Sequence, residues 1–154
     1  MATTITNATM TVSITESVSL NGQQQGATNT FTVDNIDEAY KRIVTCPASQ
    51  TTTIATFNSN VYGAAGAIDV EDARYIRVTN KDGSNPITLA VVGAATLYQV
   101  SIERGYSHII CTPDGCMLAE EDTSPSFGTK ADIASLQVNP GGNAVDVEIF
   151  IAGV

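Results

Sequence analysis

The side chains that could carry chemistry in this sequence are one histidine, three cysteines and several acidic clusters. His108 lies between Ser107 and Ile109, in an apolar run that predicts a strand. Because side chains three positions apart on a strand point to opposite faces, His108 and Cys111 cannot form a catalytic Cys–His pair. We therefore predict a structural role for His108 and no catalytic residue in the chain.

The cysteines are Cys46, Cys111 and Cys116, and their odd number argues against a disulfide framework. A hairpin through residues 112–115 would place Cys111 opposite Cys116. A cross-strand disulfide is one interpretation of this spacing, and reduced, partly buried thiols are the other. With a single histidine available, we predict no metal site and no cofactor.

Acidic residues form three clusters: Asp34, Asp37 and Glu38; Asp69, Glu71 and Asp72; and Glu120, Glu121 and Asp122. None has the spacing and glycine of a Ca²⁺-binding loop, so we interpret them as solvated loop charge. Glycine-rich phosphate-binding motifs are absent. Since there is no tryptophan to stack on a sugar, a lectin or glycosidase would depend on the five tyrosines, which we assign to the core and an interface. We predict that the protein is not an enzyme.

Charge and length narrow the classes of function that remain possible for the protein. The 154 residues suit one domain, and only 15% are charged, against roughly 25% in an average soluble domain. Such a surface suits packing against other subunits. The net charge of −9 argues against direct binding to nucleic acid or to an anionic membrane. Residues 1–5 lack the features of a secretory signal, and no apolar run could span a bilayer, so we expect synthesis in a cytoplasm.

Residues 74–112 contain four strand-like runs in succession, which predict a β-meander. In the first run, Ile76 and Val78 alternate with polar side chains, as expected of a half-buried strand. Turn formers follow at residues 80–86, where Asp82-Gly83 is expected to supply a positive φ. Arg104-Gly105 separates the third run from the fourth.

The other segments complete the prediction of an all-β fold. Further strands are expected at residues 9–20, 31–33, 51–57 and 145–151. Residues 36–42 read as at most one helical turn followed by a strand, and residues 131–136 as a short helical turn or a strand. Nine or ten short strands in an antiparallel arrangement indicate a two-sheet β-sandwich, jelly-roll-like, with an N-terminal arm at residues 1–8 and a single domain over residues 9–154.

Part of this pattern resembles small all-β virion proteins of tailed bacteriophages. The similar segments are residues 76–89, in which a strand ends in Asn80-x-Asp82, residues 98–110 with their Gly-x-Ser corner, and the strand at 145–151. They cover roughly half of the chain. The sequence departs from the pattern at Arg104-Gly105, where those proteins often carry Pro-Gly. The resemblance identifies no catalytic residue.

The resemblance implies a non-enzymatic virion protein that is made in the host cytoplasm. The first hypothesis is a capsid decoration or cement protein, which binds and stabilises the shell of the major capsid protein as a homo-oligomer, with a trimer expected. The alternative is a tail or fibre component that binds another virion protein, a receptor or a carbohydrate. A bacterial self-assembling accessory protein is a third hypothesis.

Overall fold

A computed structural model describes residues 4–63, 66–120 and 124–154, and this part of the chain is all-β. It contains no α-helix, only a 3-10 turn at Val61–Gly63, and thus no helix long and apolar enough to cross a bilayer. The strands are β1 (Ala8–Thr15), β2 (Ser19–Leu20), β3 (Gln23–Gln24), β4 (Thr28–Ile36), β5 (Glu38–Cys46), β6 (Thr52–Asn58), β7 (Ile68–Asp69), β8 (Ala73–Asn80), β9 (Ile87–Gly93), β10 (Leu97–Ile102), β11 (Ser107–Ile110), β12 (Ile133–Asn139) and β13 (Val145–Gly153).

The chain divides into two compact units. We call residues 4–38 with residue 154 the ribbon unit, and residues 39–153 the sandwich unit. Residues 4–7 of the predicted arm precede β1 and lie outside any strand, and residues 1–3 lie outside the described residues. The single domain expected over residues 9–154 stays a prediction, because two compact units can unfold together or one at a time.

The sandwich unit consists of two sheets. One has five strands in the order β10-β9-β12-β6-β7, and the other has four in the order β11-β8-β13-β5. The pairs β9–β10, β8–β11, β6–β12, β9–β12 and β8–β13 are antiparallel, and the short pair β6–β7 is parallel. Inward-facing side chains of both sheets form one core, as in a β-sandwich. The predicted fold class is confirmed.

Strand β13 shows why these residues form a sandwich. Val145, Val147, Ile149 and Ile151 alternate along it, and each is at most 2% exposed. The strand lies between β8 and β5, so its backbone is paired on both edges. A long strand with a β-branched residue at every second position is suited to this central place.

The predicted meander is wrong, because its four strands lie in two different sheets. β9 pairs with β10 in the five-stranded sheet, whereas β8 pairs with β11 in the four-stranded sheet. The inner hairpin is thus nested within an outer pair, and the chain crosses between sheets at each end. This nesting of pairs is jelly-roll-like.

Asn80 stabilises the crossing between β8 and β9. It is completely buried, and its Nδ2 donates to the carbonyls of Asn85 (2.8 Å) and Ile102 (3.0 Å). Its Oδ1 accepts from the N–H of Asp82 at 2.9 Å. The predicted positive φ at Gly83 is wrong, since that glycine is not among the residues with φ above zero. Polar side chains, rather than a glycine conformation, make this turn.

Two ambiguous segments are strands. β4 reaches Ile36 and β5 starts at Glu38, so the helical turn predicted at residues 36–42 is wrong. Asn35, near the end of β4, has a φ of 61°, a left-handed conformation that asparagine adopts more readily than most residues. Of the two interpretations of residues 131–136, the strand is confirmed by β12.

The ribbon unit contains two small antiparallel sheets. β1 pairs with β4 from Thr15 opposite Thr28 to Met10 opposite Val33, and the register shifts between Met10 and Ala8, which lies opposite Ile36. β2 and β3 form a two-residue pair near the tip. Within residues 4–38, Ile36 is the one buried residue that the structure describes.

Candidate functional site

His108 meets a tyrosine from the opposite sheet. The histidine lies on β11 and Tyr98 lies on β10, and His108 Nε2 is 3.2 Å from the Tyr98 hydroxyl. The two rings also form an edge contact, with centroids 6.1 Å apart and planes inclined at 66°. The pair therefore links the two sheets of the sandwich unit through one hydrogen bond and one aromatic contact.

Burial favours the neutral forms of both side chains. Desolvation lowers the pKa of His108 from its ordinary value. Desolvation, with a smaller contribution from Cys116, raises the pKa of Tyr98. A neutral imidazole and a neutral phenol can share one hydrogen bond, with the donor set by the histidine tautomer. This geometry supports the structural role that we predicted for His108.

The three thiols are free in the structure. Cys46 is buried and Cys116 is half-buried, and burial raises the pKa of each thiol. A raised pKa leaves little thiolate at neutral pH, so both are weak nucleophiles. Cys111 is exposed. The hairpin expected to place Cys111 opposite Cys116 is not formed, because residues 116–117 contact Ala131 instead.

The first two acidic clusters accept a cross-strand and a local hydrogen bond, and Asp34 and Glu38 lie on β4 and β5 rather than in the loops that we expected. Glu71 N–H donates to Asp69 Oδ1 at 2.9 Å, and Thr9 Oγ1 donates to Asp34 Oδ1 at 2.9 Å. Glu121 and Asp122 of the third cluster lie outside the described residues. In the described ranges, no three His, Cys, Asp or Glu side chains come close enough together to hold a metal ion.

Three open grooves occur on the surface of the sandwich unit, with volumes of about 260, 340 and 310 Å³. The first lies where the turn after β8 meets the turn after β12, and Asn143 Nδ2 donates to Asn85 Oδ1 there at 3.1 Å. No titratable side chain lines this first groove. The histidine–tyrosine pair lies outside all three grooves.

An ion-pair network crosses the outer face of the four-stranded sheet. Glu148 on β13 accepts from Arg77 on β8 at 2.7 Å and lies 3.7 Å from the ammonium of Lys41 on β5. The Arg77 hydrogen bond, with smaller contributions from nearby cations, lowers the pKa of Glu148. This network joins three adjacent strands on a face that turns away from the core.

The ribbon unit has two chemically different faces. Ser13 and Thr30 pair through their hydroxyls at 3.1 Å, and Thr15 and Thr28 pair at 3.2 Å. The opposite face presents Met10, Val12 and Ile14 of β1 together with apolar residues of β4. Several large apolar residues of this unit stay exposed in the chain: Ile5 (64%), Ile14 (41%), Val18 (50%) and Leu20 (63%).

The ribbon unit and the sandwich unit also differ in their charged residues. Residues 1–38 contain four acidic residues, Glu16, Asp34, Asp37 and Glu38, and no lysine or arginine. All seven basic residues of the chain follow in residues 39–153. The ribbon unit therefore offers hydroxyls, backbone edges and apolar side chains, which are typical of a protein contact surface.

No protein-family model matches the chain, and no curated protein matches it. Among solved structures, the chain is similar to a chain from Bacillus endospore appendages, which are described as "a novel family of disulfide-linked pili". The two chains are 12% identical, with a TM-score of 0.47. The match covers 75% of this chain and 81% of the other. Similarity at this level assigns neither a family nor a function to this protein.

Sequence reasoning predicted no functional site, and it missed two features. The Tyr98–His108 contact joins strands of different sheets, so no local spacing reveals it. The apolar and hydroxyl faces of β1 are visible in the alternation of Met10, Val12 and Ile14 with threonine and serine. What the sequence does not reveal is that, among the residues that the structure describes, this strand pairs on one side only.

Proposed function

We propose that the protein is a non-enzymatic structural subunit that assembles with copies of itself on a larger protein shell, as a capsid decoration protein does. The observation that carries the proposal is the ribbon unit, which has large exposed apolar side chains and a single buried residue among the described residues 4–38. A sheet of two strands is marginally stable by itself. Contact with other subunits would bury these side chains and stabilise the sheet.

The charge distribution supports a protein partner over nucleic acid. With a net charge of −9 and no basic residue in the ribbon unit, the chain offers no cluster that would neutralise phosphates. Few charges also need to be desolvated when the ribbon unit meets another protein. The partners under this proposal are further copies of the chain, arranged as a trimer, and the major shell protein of a virion.

Sedimentation analysis of the purified protein, followed by co-sedimentation with empty shells, tests the proposal. We expect a concentration-dependent oligomer of three copies and saturable, stoichiometric binding to shells. The double variant Val18→Asp/Leu20→Asp should weaken both, since it places charge on exposed apolar positions of the ribbon unit. Leu97→Asp is the matched control, because Leu97 is 54% exposed in the sandwich unit. A monomer that binds no shell would refute the proposal.

A tail or fibre component that binds a receptor is the second candidate. Tyr62 favours it, because this side chain is 100% exposed within the 3-10 turn Val61–Gly63 of the sandwich unit. Exposed tyrosines provide rigid contact area in many recognition surfaces. Tyr62→Ala should abolish adsorption of a particle that carries the protein if this candidate is correct, and it should leave shell binding unchanged if the first is correct.

A further inference from the structure

The edges of the sheets differ in how well they are protected against pairing with another chain. Edge strands in soluble proteins are usually short, charged or covered. β7 has two residues and β11 has four, whereas β5 carries Glu38, Lys41 and Arg42 along its length. β1 has eight residues, Ala-Thr-Met-Thr-Val-Ser-Ile-Thr, with no charge, no proline and no glycine.

The hydrogen-bond pattern shows which amides of β1 point outward. Glu16 N–H donates to the Ala27 carbonyl at 2.8 Å, so this pair occupies a bonded position at the end of the ladder. Bonded and non-bonded pairs alternate in an antiparallel ladder, which makes Ile14 and Val12 bonded positions. The intervening residues, Thr11, Ser13 and Thr15, therefore direct their N–H and C=O groups away from β4.

Side-chain contacts agree with this assignment. The pairs Ser13–Thr30 and Thr15–Thr28 touch through their hydroxyls at 3.1 and 3.2 Å. Side chains approach most closely at the non-bonded positions of an antiparallel ladder. In the part of the chain that the structure describes, β1 pairs with β4 alone, so the outward groups of β1 form an open edge.

We infer that β1 pairs with β1 of a second copy, antiparallel and across a two-fold axis at Ser13. This inference rests on the proposed function and adds a two-fold contact between copies in neighbouring trimers, because a three-fold ring by itself contains no two-fold contact. Ser13 would face Ser13 of the second copy, and Thr11 would face Thr15. The two ribbons then become one sheet of four strands, with the apolar side chains on one face and the hydroxyls on the other. An antiparallel pair about a two-fold axis places the apolar faces of both ribbons on one side of the sheet and the hydroxyl faces on the other, so no side chain has to reorient.

Charge favours a second copy as the occupant. A chain with a net charge of −9 repels its own copies at most of its surface. β1 contains no ionisable side chain, so two β1 strands can meet without placing like charges opposite each other. β4, the other strand of the ribbon, carries Asp34, which a symmetric β4 contact would bring near its own copy.

β10 is the longest of the other uncharged edge strands that the structure describes, and it fits less well. It has six residues and belongs to a sheet that already has five strands. A sixth strand adds little to such a sheet. The two-stranded ribbon gains most from pairing, because three or more strands are needed for an independently stable sheet.

Proline substitution at matched positions tests the pairing. Ser13→Pro removes an outward N–H of β1, and Thr30→Pro removes an outward N–H of β4, while both lose the same hydroxyl contact. Proline is tolerated at an edge position whose N–H faces away from the ladder. We expect Ser13→Pro to raise the dissociation constant of the dimer contact roughly tenfold or more, and Thr30→Pro to leave it unchanged.

Charge swapping provides a test that does not depend on proline. Ser13→Lys and Ser13→Asp should each weaken association, because each places like charges opposite one another at the axis. An equimolar mixture of the two variants should associate more tightly than either alone. Amide exchange of Thr11, Ser13 and Thr15 should slow as protein concentration rises, while that of Gln99 on β10 should not.

The outcomes separate this inference from the proposed function. If the wild-type protein assembles but Ser13→Pro behaves like Thr30→Pro, or if the charged mixture associates no better than its components, the β1 pairing is wrong and the structural role stands. A wild-type protein that remains monomeric and binds no shell refutes both.

Discussion

The ribbon unit and the sandwich unit are both built from strands in which apolar and polar residues alternate, yet they bury very different numbers of side chains. In the described residues, twenty-two side chains form one core in the sandwich unit, whereas Ile36 is the one buried residue between residues 4 and 38. The second sheet makes the difference, because it covers the apolar face of the first. Alternating apolar and polar residues thus give a strand one apolar face, and that face becomes part of a core only when a second surface packs against it.

Truncating the sandwich core should have the largest effect. Leu136 is completely buried on β12, so Leu136→Ala removes packing from the centre of the core. We expect the free energy of unfolding to fall by about 2–5 kcal/mol in urea denaturation. Leu97→Ala on β10, whose side chain is 54% exposed, should cost less than about 1 kcal/mol. Equal costs for the two variants would contradict the comparison between core and exposed positions.

Removing the buried amide of Asn80 should have the next largest effect. Asn80→Ala leaves the carbonyls of Asn85 and Ile102 without this donor. We expect a loss of about 1–3 kcal/mol, measured by urea denaturation. Asn143→Ala is the control, since its amide bond to Asn85 is exposed. If Asn80→Ala costs no more than that control, the crossing between β8 and β9 does not depend on Asn80.

Acidification should weaken the sandwich unit through His108. Burial lowers the pKa of this histidine below its ordinary value of 6.5, so the unfolded chain binds the proton more tightly than the folded one. The stability that neutral His108 contributes to the folded state is fully present above the ordinary pKa. It is lost as the pH falls through the ordinary pKa toward the lowered pKa of the folded state. The urea midpoint should therefore decrease across this window, and His108→Gln should decrease less. An identical decrease in both proteins would contradict the prediction.

The smallest effect is expected on the hydroxyl face of the ribbon unit. Thr15→Ala removes one exposed hydroxyl contact with Thr28, which should cost less than about 1 kcal/mol. Thermal unfolding at a fixed, low protein concentration measures this cost without a contribution from assembly. A cost comparable to that of Leu136→Ala would show that the ribbon unit is as essential to stability as the sandwich core.

The sequence predicted strands more successfully than their partners. Alternation along residues 145–151 and 87–91 identified β13 and β9, because burial of one face imposes a period of two. The same pattern cannot specify which sheet a strand joins, and the predicted meander was wrong for this reason. The crossing depends on hydrogen bonds from Asn80 to residues 5 and 22 positions away, which local spacing does not encode.

The candidate site was less predictable than the fold. The contact between Tyr98 and His108 depends on how two sheets face each other, so neither residue is distinctive in its own strand. In residues 4–63, 66–120 and 124–154 no further strand lies beside β1, so its open edge is a property of the whole topology. The sequence could show that this edge contains no charge, no proline and no glycine. It could not show that the edge is exposed.

The position of β13 constrains the order of events during synthesis. β5 and β8 are not neighbours, and both pair with β13, which is made about a hundred residues after β5. The four-stranded sheet therefore cannot close on the ribosome until residue 153 has emerged. Until then, β5 and β8 lack the strand that pairs with both of them, and their unpaired edges are open to contact with other chains.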